Sequence, residues 1–153
     1  MPTPQFGQAG LEGPYPDRPA AFAVIERDGL LALVRVQREH RGLVLDLPGG
    51  GIDPGETAAQ AAVRECGEEA GMVVVLDGEP FVHADHFFLH GDGEVRNTRG
   101  AFFTGRVQAE DPALKIEDDH ELVWIAPHDA VARLDRDSHA WAVAAWLRLR
   151  ARA

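Results

Sequence analysis

The stretch Pro48–Met72, PGGGIDPGETAAQAAVRECGEEAGM, constrains this chain more than any other. Three successive glycines and the Pro54-Gly55 pair read as loop and turn, and the Ala, Val, Arg and Glu content that follows favours helix. Thr57 and Gln60 stand at capping-box spacing, where each side chain accepts from the other's backbone N–H. Gly71 suits the left-handed conformation that closes many helices. On a wheel of about 100° per residue, Ala59, Ala62, Val63, Cys66 and Ala70 form an apolar stripe that must meet a core. Glu65, Glu68 and Glu69, at i, i+3 and i+4, crowd the opposite side, where like charges repel by roughly a few tenths of a kcal/mol per pair in water. A solvated acidic face accounts for them. So does a hard divalent cation that turns the repulsion into attraction. Spacing alone leaves both readings open.

At 153 residues the chain fits one domain with a sizeable core, and 45% hydrophobic with 26% charged residues excludes a disordered or fibrous architecture. The opening MPTPQFGQAG has neither a basic start nor an apolar run, and no segment approaches the ~18 apolar residues of a membrane span. The expectation is a cytoplasmic protein without a membrane partner. The single cysteine, Cys66, cannot form an internal disulfide, which agrees with a reducing compartment. A net charge of −10 supplies no basic field for polymeric DNA or RNA. Fourteen of the fifteen basic residues are arginine, whose planar fork suits phosphate oxygens. An acidic protein that handles an anion must place its positive charge locally.

Along the chain, residues 1–19 carry five prolines and three glycines and read as an irregular arm, free or lying along the domain or a partner subunit. AFAVIE, from Ala21, and LLALVRVQ, from Leu30, read as a hairpin around Arg27-Asp28-Gly29. Arg38, His40 and Arg41 follow in a polar loop, and LVLDLP (43–48) forms a strand delivering the chain to the glycines. After the helix come a short strand at MVVVL and a long hairpin, PFVHADHFFLH with VRNTRGAFFTGRV. His83 and His86 fall on opposite faces of their strand, which argues against a zinc cage with His90. The acidic tract Glu110–Glu121 leads to a last strand, LVWIAP, and helices over 128–134 and 138–150. Trp141, Trp146 and Leu147 suit core or subunit contacts, which leaves room for a homodimer.

From Gly50 to Met72 the fixed positions Gly50, Glu56, Arg64, Glu65, Glu68, Glu69 and Gly71 stand at the spacing of the Nudix box, and the chain resembles the Nudix hydrolase superfamily over these 23 residues. Cys66 fills a slot usually taken by a larger aliphatic. Gly67 falls mid-helix, where it costs about 1 kcal/mol relative to Ala, and is read as marking a close backbone approach. The resemblance implies an α/β/α sandwich with a mixed sheet over residues 20–153. It also implies Mg²⁺-dependent (or Mn²⁺-dependent) hydrolysis of a small nucleoside diphosphate linked to another group. The alternatives are a silent Nudix-fold nucleotide-binding or sensor module, or a helix that binds Ca²⁺ structurally. By resemblance the Gly49 carbonyl, Glu65, Glu68 and Glu69 hold metal, with Glu68 a further ligand or base. Gly50, Glu56, Arg64 and Gly71 are structural, Glu56 pairing with Arg64. Family members recruit one more acid downstream, for which Glu117 is the first candidate and Glu121 the second. Arg38, Arg41 and the aromatic Phe88 are the candidate substrate-binding residues. The Pro or Tyr that marks some subfamilies beyond the box is absent from Phe87-Phe88-Leu89-His90.

Overall fold

The computed structural model describes residues 2–7, 14–38 and 41–153. Its strands are β1 (Gln5–Phe6), β2 (Asp17–Arg27), β3 (Leu30–Arg38), β4 (Gly42–Asp46), β5 (Gly49–Gly51), β6 (Met72–Leu76), β7 (Val82–Leu89), β8 (Val95–Glu110) and β9 (His120–Ile125). Its helices are α1 (Ala58–Ala70), α2 (Pro127–Arg133) and α3 (Asp137–Ala151), with one 3-10 turn at Pro112–Leu114.

β2 is apolar on both faces because helices cover both. Ala20, Phe22 and Val24 pack with Leu31, Leu33, Leu47 and Phe102 under Ala130, Leu134, Val143 and Trp146 of the α2–α3 side. Ala21 packs with Ala61 and Ala62 of α1, and Ala23 and Ile25 pack with Cys66, Met72 and Val74. Each fully buried Val-, Leu- or Phe-sized side chain contributes about 1.5–3 kcal/mol, so the two half-cores clamp the central strand between helix layers. This is the expected α/β/α sandwich. Its sheet is mixed: β2 runs parallel to β8 and antiparallel to β3 and β5, while β8 pairs antiparallel with β7 and β6. β3 carries β4 and β9. The β2–β3 turn places Asp28 (φ 53°) and Gly29 (φ 79°) in the left-handed region, which matches the twist of the hairpin strands.

Several sequence expectations shift. β2 begins at Asp17, four residues early, because β8 takes up its backbone from Asn97 onward. Gln5 and Phe6, inside the arm expected to be irregular, pair with Asp85 and His86; Gln8–Gly13 lie outside the described residues. The three glycines form β5 instead of a free loop, since β2 offers them a partner strand that local propensity does not reveal. α1 is rotated relative to the wheel: Val63 is exposed, while Ala61, Ala62, Cys66 and Glu69 are buried. The helix turns its inner face toward Glu65 and Glu69, which an apolar count cannot anticipate. A Cβ on Gly67 would meet the Leu114 side chain at 3.5 Å and the Met72 carbonyl oxygen at 3.8 Å, both ordinary contact, so no backbone approaches closely enough to require glycine. Trp146 is buried in the core, with Trp141 and Leu147 packed against it.

Candidate active site

The site starts where β5 meets α1. Gly49 has φ 149°, and a Cβ there would lie 2.2 Å from the Ala21 carbonyl oxygen, so only glycine lets β5 lie flat on β2. A Cβ on Gly50 would stand 2.8 Å from Glu65 Oε1. The main chain is thereby brought against the helix carboxylates, and the Gly49 N–H donates to Glu69 Oε1 at 2.8 Å. α1 starts with the expected reciprocal Thr57–Gln60 cap and ends at Gly71 (φ 66°). Arg64 ties the connecting loop to the helix. Its Nε and Nη2 donate to Glu56 at 2.7 and 2.9 Å, Nη2 donates to the Gly51 carbonyl at 3.0 Å, and Nη1 donates to Glu65 and Glu68 at 3.0 Å. This fork holds the Glu56 carboxyl down at about 2.

The last turn of a helix leaves carbonyls without helical partners. That of Glu68 accepts the N–H groups of Ile116 and Glu117, each at 3.0 Å, which draws the acidic loop onto α1. Oxygen and nitrogen atoms of Glu117, Asp119 and His120 then lie within 4.8 Å of one another. His120 Nε2 stands 2.9 Å from Glu69 Oε2, and Nδ1 stands 2.8 Å from Asp119. The Glu69 partner raises His120 to about 9. Burial raises Glu69 itself. Burial, followed by the charge of Glu69, raises Glu65 to about 7.

Glu65, Glu69, Glu117 and His120 line a cavity of about 200 Å³ together with Gly49, Gly50, Asp46, Arg18, Arg38 and Arg136. Arg38 Nη2 donates to Asp46 Oδ2 at 2.5 Å. Arg136 is 6% exposed, and its guanidinium lies 3.8 Å from the Phe88 ring centre. A second cavity of about 440 Å³, lined by Arg38, Arg41, Phe88 and His90, shares Arg38 and His90 with the first.

The structure therefore gathers Gly49, Gly50, Glu65, Glu69, Glu117 and Arg38 in one cavity, and Arg41 and Phe88 in its neighbour. Arg41 also pairs with Asp135 at 2.9 Å. Glu68 lines neither cavity, because its carboxylate turns to Arg64. Glu121, the second downstream candidate, is exposed at the β9 edge and pairs with Arg35 at 3.0 Å, so it faces away from the cavity. His83 is exposed, while His86 is buried against Ser138. Sequence reasoning missed Arg18, Asp46, His120 and Arg136. Of these only His120 carried a signal, its place at the end of the Glu117-Asp118-Asp119 run.

The donor set fits a hard divalent cation. Glu65, Glu69 and Glu117 are oxygen donors around one space, and the raised Glu65 and Glu69 mark negative charge held close together under burial. None of the helices described is long and apolar enough to cross a membrane.

An RNA pyrophosphohydrolase of Sphingopyxis alaskensis is 32% identical over 117 residues, covering 69% of this chain and 73% of that protein. A second, from Gluconobacter oxydans, is 47% identical over 57 residues and covers only 33% of its length. Among solved structures, the MutT protein from Methanosarcina mazei superposes with a TM-score of 0.71 at 21% identity, covering 91% of this chain and 99% of that one. A NUDIX hydrolase from Nitrosomonas europaea gives 0.70 at 22% identity, with 86% and 89% covered. These two carry the likeness of fold. The NUDIX domain family matches residues 16–147, a span that holds α1, β5, the acidic loop and Arg136 together, and the chain belongs to the Nudix hydrolase family.

Proposed function

We propose that this chain is a Mg²⁺-dependent pyrophosphohydrolase that cleaves a nucleoside diphosphate linked to another group, with Mn²⁺ able to replace Mg²⁺. The observation that carries this reading is the convergence of Glu65 and Glu69 from α1 with Glu117 from a loop some fifty residues on, around one cavity floored by β5. A phosphoanhydride resists water because its oxygens repel a nucleophile and its leaving group must accept charge. Glu65, Glu69 and the Gly49 carbonyl are the proposed cation ligands. Bound there, the cation masks phosphate charge and lowers the pKa of a coordinated water. Glu117, held against the end of α1 by its main-chain bond to Glu68, is the proposed base that accepts the proton of the attacking water. Glu68, held by Arg64 in this arrangement, is retained as a further ligand or base.

The decisive experiment is release of phosphate or pyrophosphate from a panel of nucleotides and nucleotide-sugars by the purified chain with Mg²⁺. Glu69→Gln should lower turnover by orders of magnitude with the fold intact. Binding of nucleotide without metal-dependent release would favour a silent binding module instead. A second reading, the 5′ end of an RNA as substrate, is supported by the name of the 32% identical relative. It needs only the terminal phosphates to enter the cavity, so a net charge of −10 does not oppose it. A 5′-triphosphorylated oligonucleotide belongs in the same panel. A cytoplasmic setting and a homodimer complete the proposal.

A further inference from the structure

Glu117 is gripped on both sides of its Cα. Its N–H donates to the Glu68 carbonyl at 3.0 Å. Its own carbonyl accepts the His120 N–H at 3.2 Å and Lys115 Nζ at 2.5 Å. An ammonium donating to a carbonyl makes a charge-assisted bond, stronger than the amide bond beside it. Peptide units are planar and leave two soft dihedrals per residue, so holding the planes before and after Glu117 sets its φ and ψ and with them the direction of its Cβ. The end of α1 secures the first plane. Lys115 secures the second.

Lys115 is the only lysine in the chain, and it stands in a run with Glu110, Asp111, Glu117, Asp118, Asp119 and Glu121. Most of these acids are engaged: Glu110 with Arg27, Asp119 with His120, Glu121 with Arg35, and the Asp111 carboxylate with the Ala113 N–H. The Glu117 and Asp118 carboxylates stand close in sequence, yet among the described residues the ammonium pairs with neither and takes the Glu117 carbonyl. That choice has a chemical effect. On the carboxylate the ammonium would occupy the oxygens that must accept a proton, whereas on the carbonyl it leaves them free. Glu117 lines the 200 Å³ cavity and Lys115 does not, so the ammonium acts from outside the space a substrate enters. The stem is also anchored. The 3-10 turn ends on Lys115, whose N–H donates to the Pro112 carbonyl at 3.2 Å, and the preceding Leu114 side chain sits over Gly67 of α1.

We propose that Lys115 is a positioning residue for the reaction: its ammonium clamps the Glu117 carbonyl and so aims the Glu117 carboxylate into the cavity without touching substrate. This rests on the reading of Glu117 as the base, and it adds the residue that keeps a base borne on a loop at a fixed angle to the carboxylates of α1.

The test pairs kinetics with hydrogen exchange on the full chain. Lys115→Met, which keeps the stem and removes the ammonium, should lower kcat with Mg²⁺ by about tenfold or more, since small misplacements of a reacting group cost that much. KM should stay within about twofold and the melting temperature within about 2 °C, because the residue lies outside the cavity and the core. Lys115→Arg, which still donates, should recover most of the loss. In a Glu117→Gln background Lys115→Met should add less than about twofold, as expected of a group that acts only through Glu117. Should Lys115→Met fail to fold, Lys115→Gln, neutral and shorter, replaces it in each arm. Amide exchange over residues 113–121, followed by mass spectrometry, should speed by about tenfold in Lys115→Met with α1 unchanged. Parental kcat in the folded variant, an equal loss in the Glu117→Gln background, or unchanged exchange of this segment overturns the clamp. A parent chain that hydrolyses no phosphoanhydride with Mg²⁺ overturns the enzymatic reading instead, and the exchange then decides the clamp by itself.

Discussion

The carbonyl of Glu68 accepts the N–H of Glu117 at 3.0 Å, so the end of α1 holds the downstream acid at the cavity through main chain alone. Replacing the Glu117 side chain therefore leaves the tether in place. Glu117→Gln should lower kcat by about 10²-fold or more with an unchanged melting temperature. Partial recovery at high Mg²⁺ identifies a ligand, and loss that metal cannot repair identifies a base. Glu121→Gln, whose parent residue pairs with Arg35 in solvent, should keep near-parental kcat and stability.

His120 and Glu69 form the second dependence. The Glu69 carboxylate is 6% exposed, and His120 is its cationic partner at 2.9 Å. Removing one member of a buried pair strands the other, which costs about 3–5 kcal/mol in the fully buried case, somewhat less here because the His120 side chain is 14% exposed. His120→Ala should lower the melting temperature of the metal-free chain at pH 7. Added Mg²⁺ should then raise it by more than in the parent, since the cation replaces a missing charge. Equal Mg²⁺ shifts in differential scanning fluorimetry would count against Glu69 as a cation ligand.

Acid should destabilise the fold through buried histidines. Burial, followed by the charge of Arg136, pushes His86 down to about 4 and His139 well below its ordinary value. His139 Nδ1 accepts the Leu47 N–H at 3.1 Å, a bond only the neutral ring can make. Both are neutral when folded, whereas in the unfolded chain they gain protons as pH falls through about 6.5. At these two rings the unfolded state thus binds more protons between about pH 6.5 and 4, which removes stability as pH falls, by up to about 1.4 kcal/mol per pH unit for each ring, partly offset by Glu65, whose pKa of about 7 lets the fold take up a proton in the same range. Urea midpoints at pH 7.5, 6 and 5 should drop accordingly, and His86→Asn should flatten the slope.

The glycines separate by role. Gly67→Ala should stabilise the chain by about 0.5–1 kcal/mol, because the methyl meets the exposed Leu114 side chain and the Met72 carbonyl oxygen only at ordinary contact distance. Gly49→Ala should cost about 3 kcal/mol or more, since its Cβ would strike the β2 backbone at a φ closed to alanine. Gly50→Ala pushes the Glu65 carboxylate aside and should reduce activity with little loss of stability. Thermal melts and kcat on the three purified variants give the comparison.

What was legible in the chain was local. The Thr57–Gln60 cap, Gly71 and the Glu56–Arg64 fork are set by spacings of a few residues, so one stretch of sequence displays them. The two faces of β2 were less so, because alternate burial against different helix layers looks the same as a single apolar run. β5 was hidden since glycine has low strand propensity and gains its order from β2 alone. Arg136 follows an unremarkable Leu-Asp pair and becomes notable only when α3 sets it over Phe88. Burial of Glu69 likewise depends on how far α1 is turned by the sheet.

The parallel seam between β2 and β8 has a consequence for how the chain reaches this state. Asp17 lies beside Asn97 and Ile25 beside Gly105, so every contact along the seam joins residues some eighty positions apart. The entropy of closing so long a loop is spent before the pairing returns any stability, which places the chain among slow folders. On a ribosome, β2 emerges early with apolar side chains on both faces, and although β3 and β5 follow it directly, its other edge must wait for β8 to be synthesised. The nascent chain therefore carries an open, apolar strand edge through most of its translation, and holding that edge apart from other chains is a condition for high yield of folded protein.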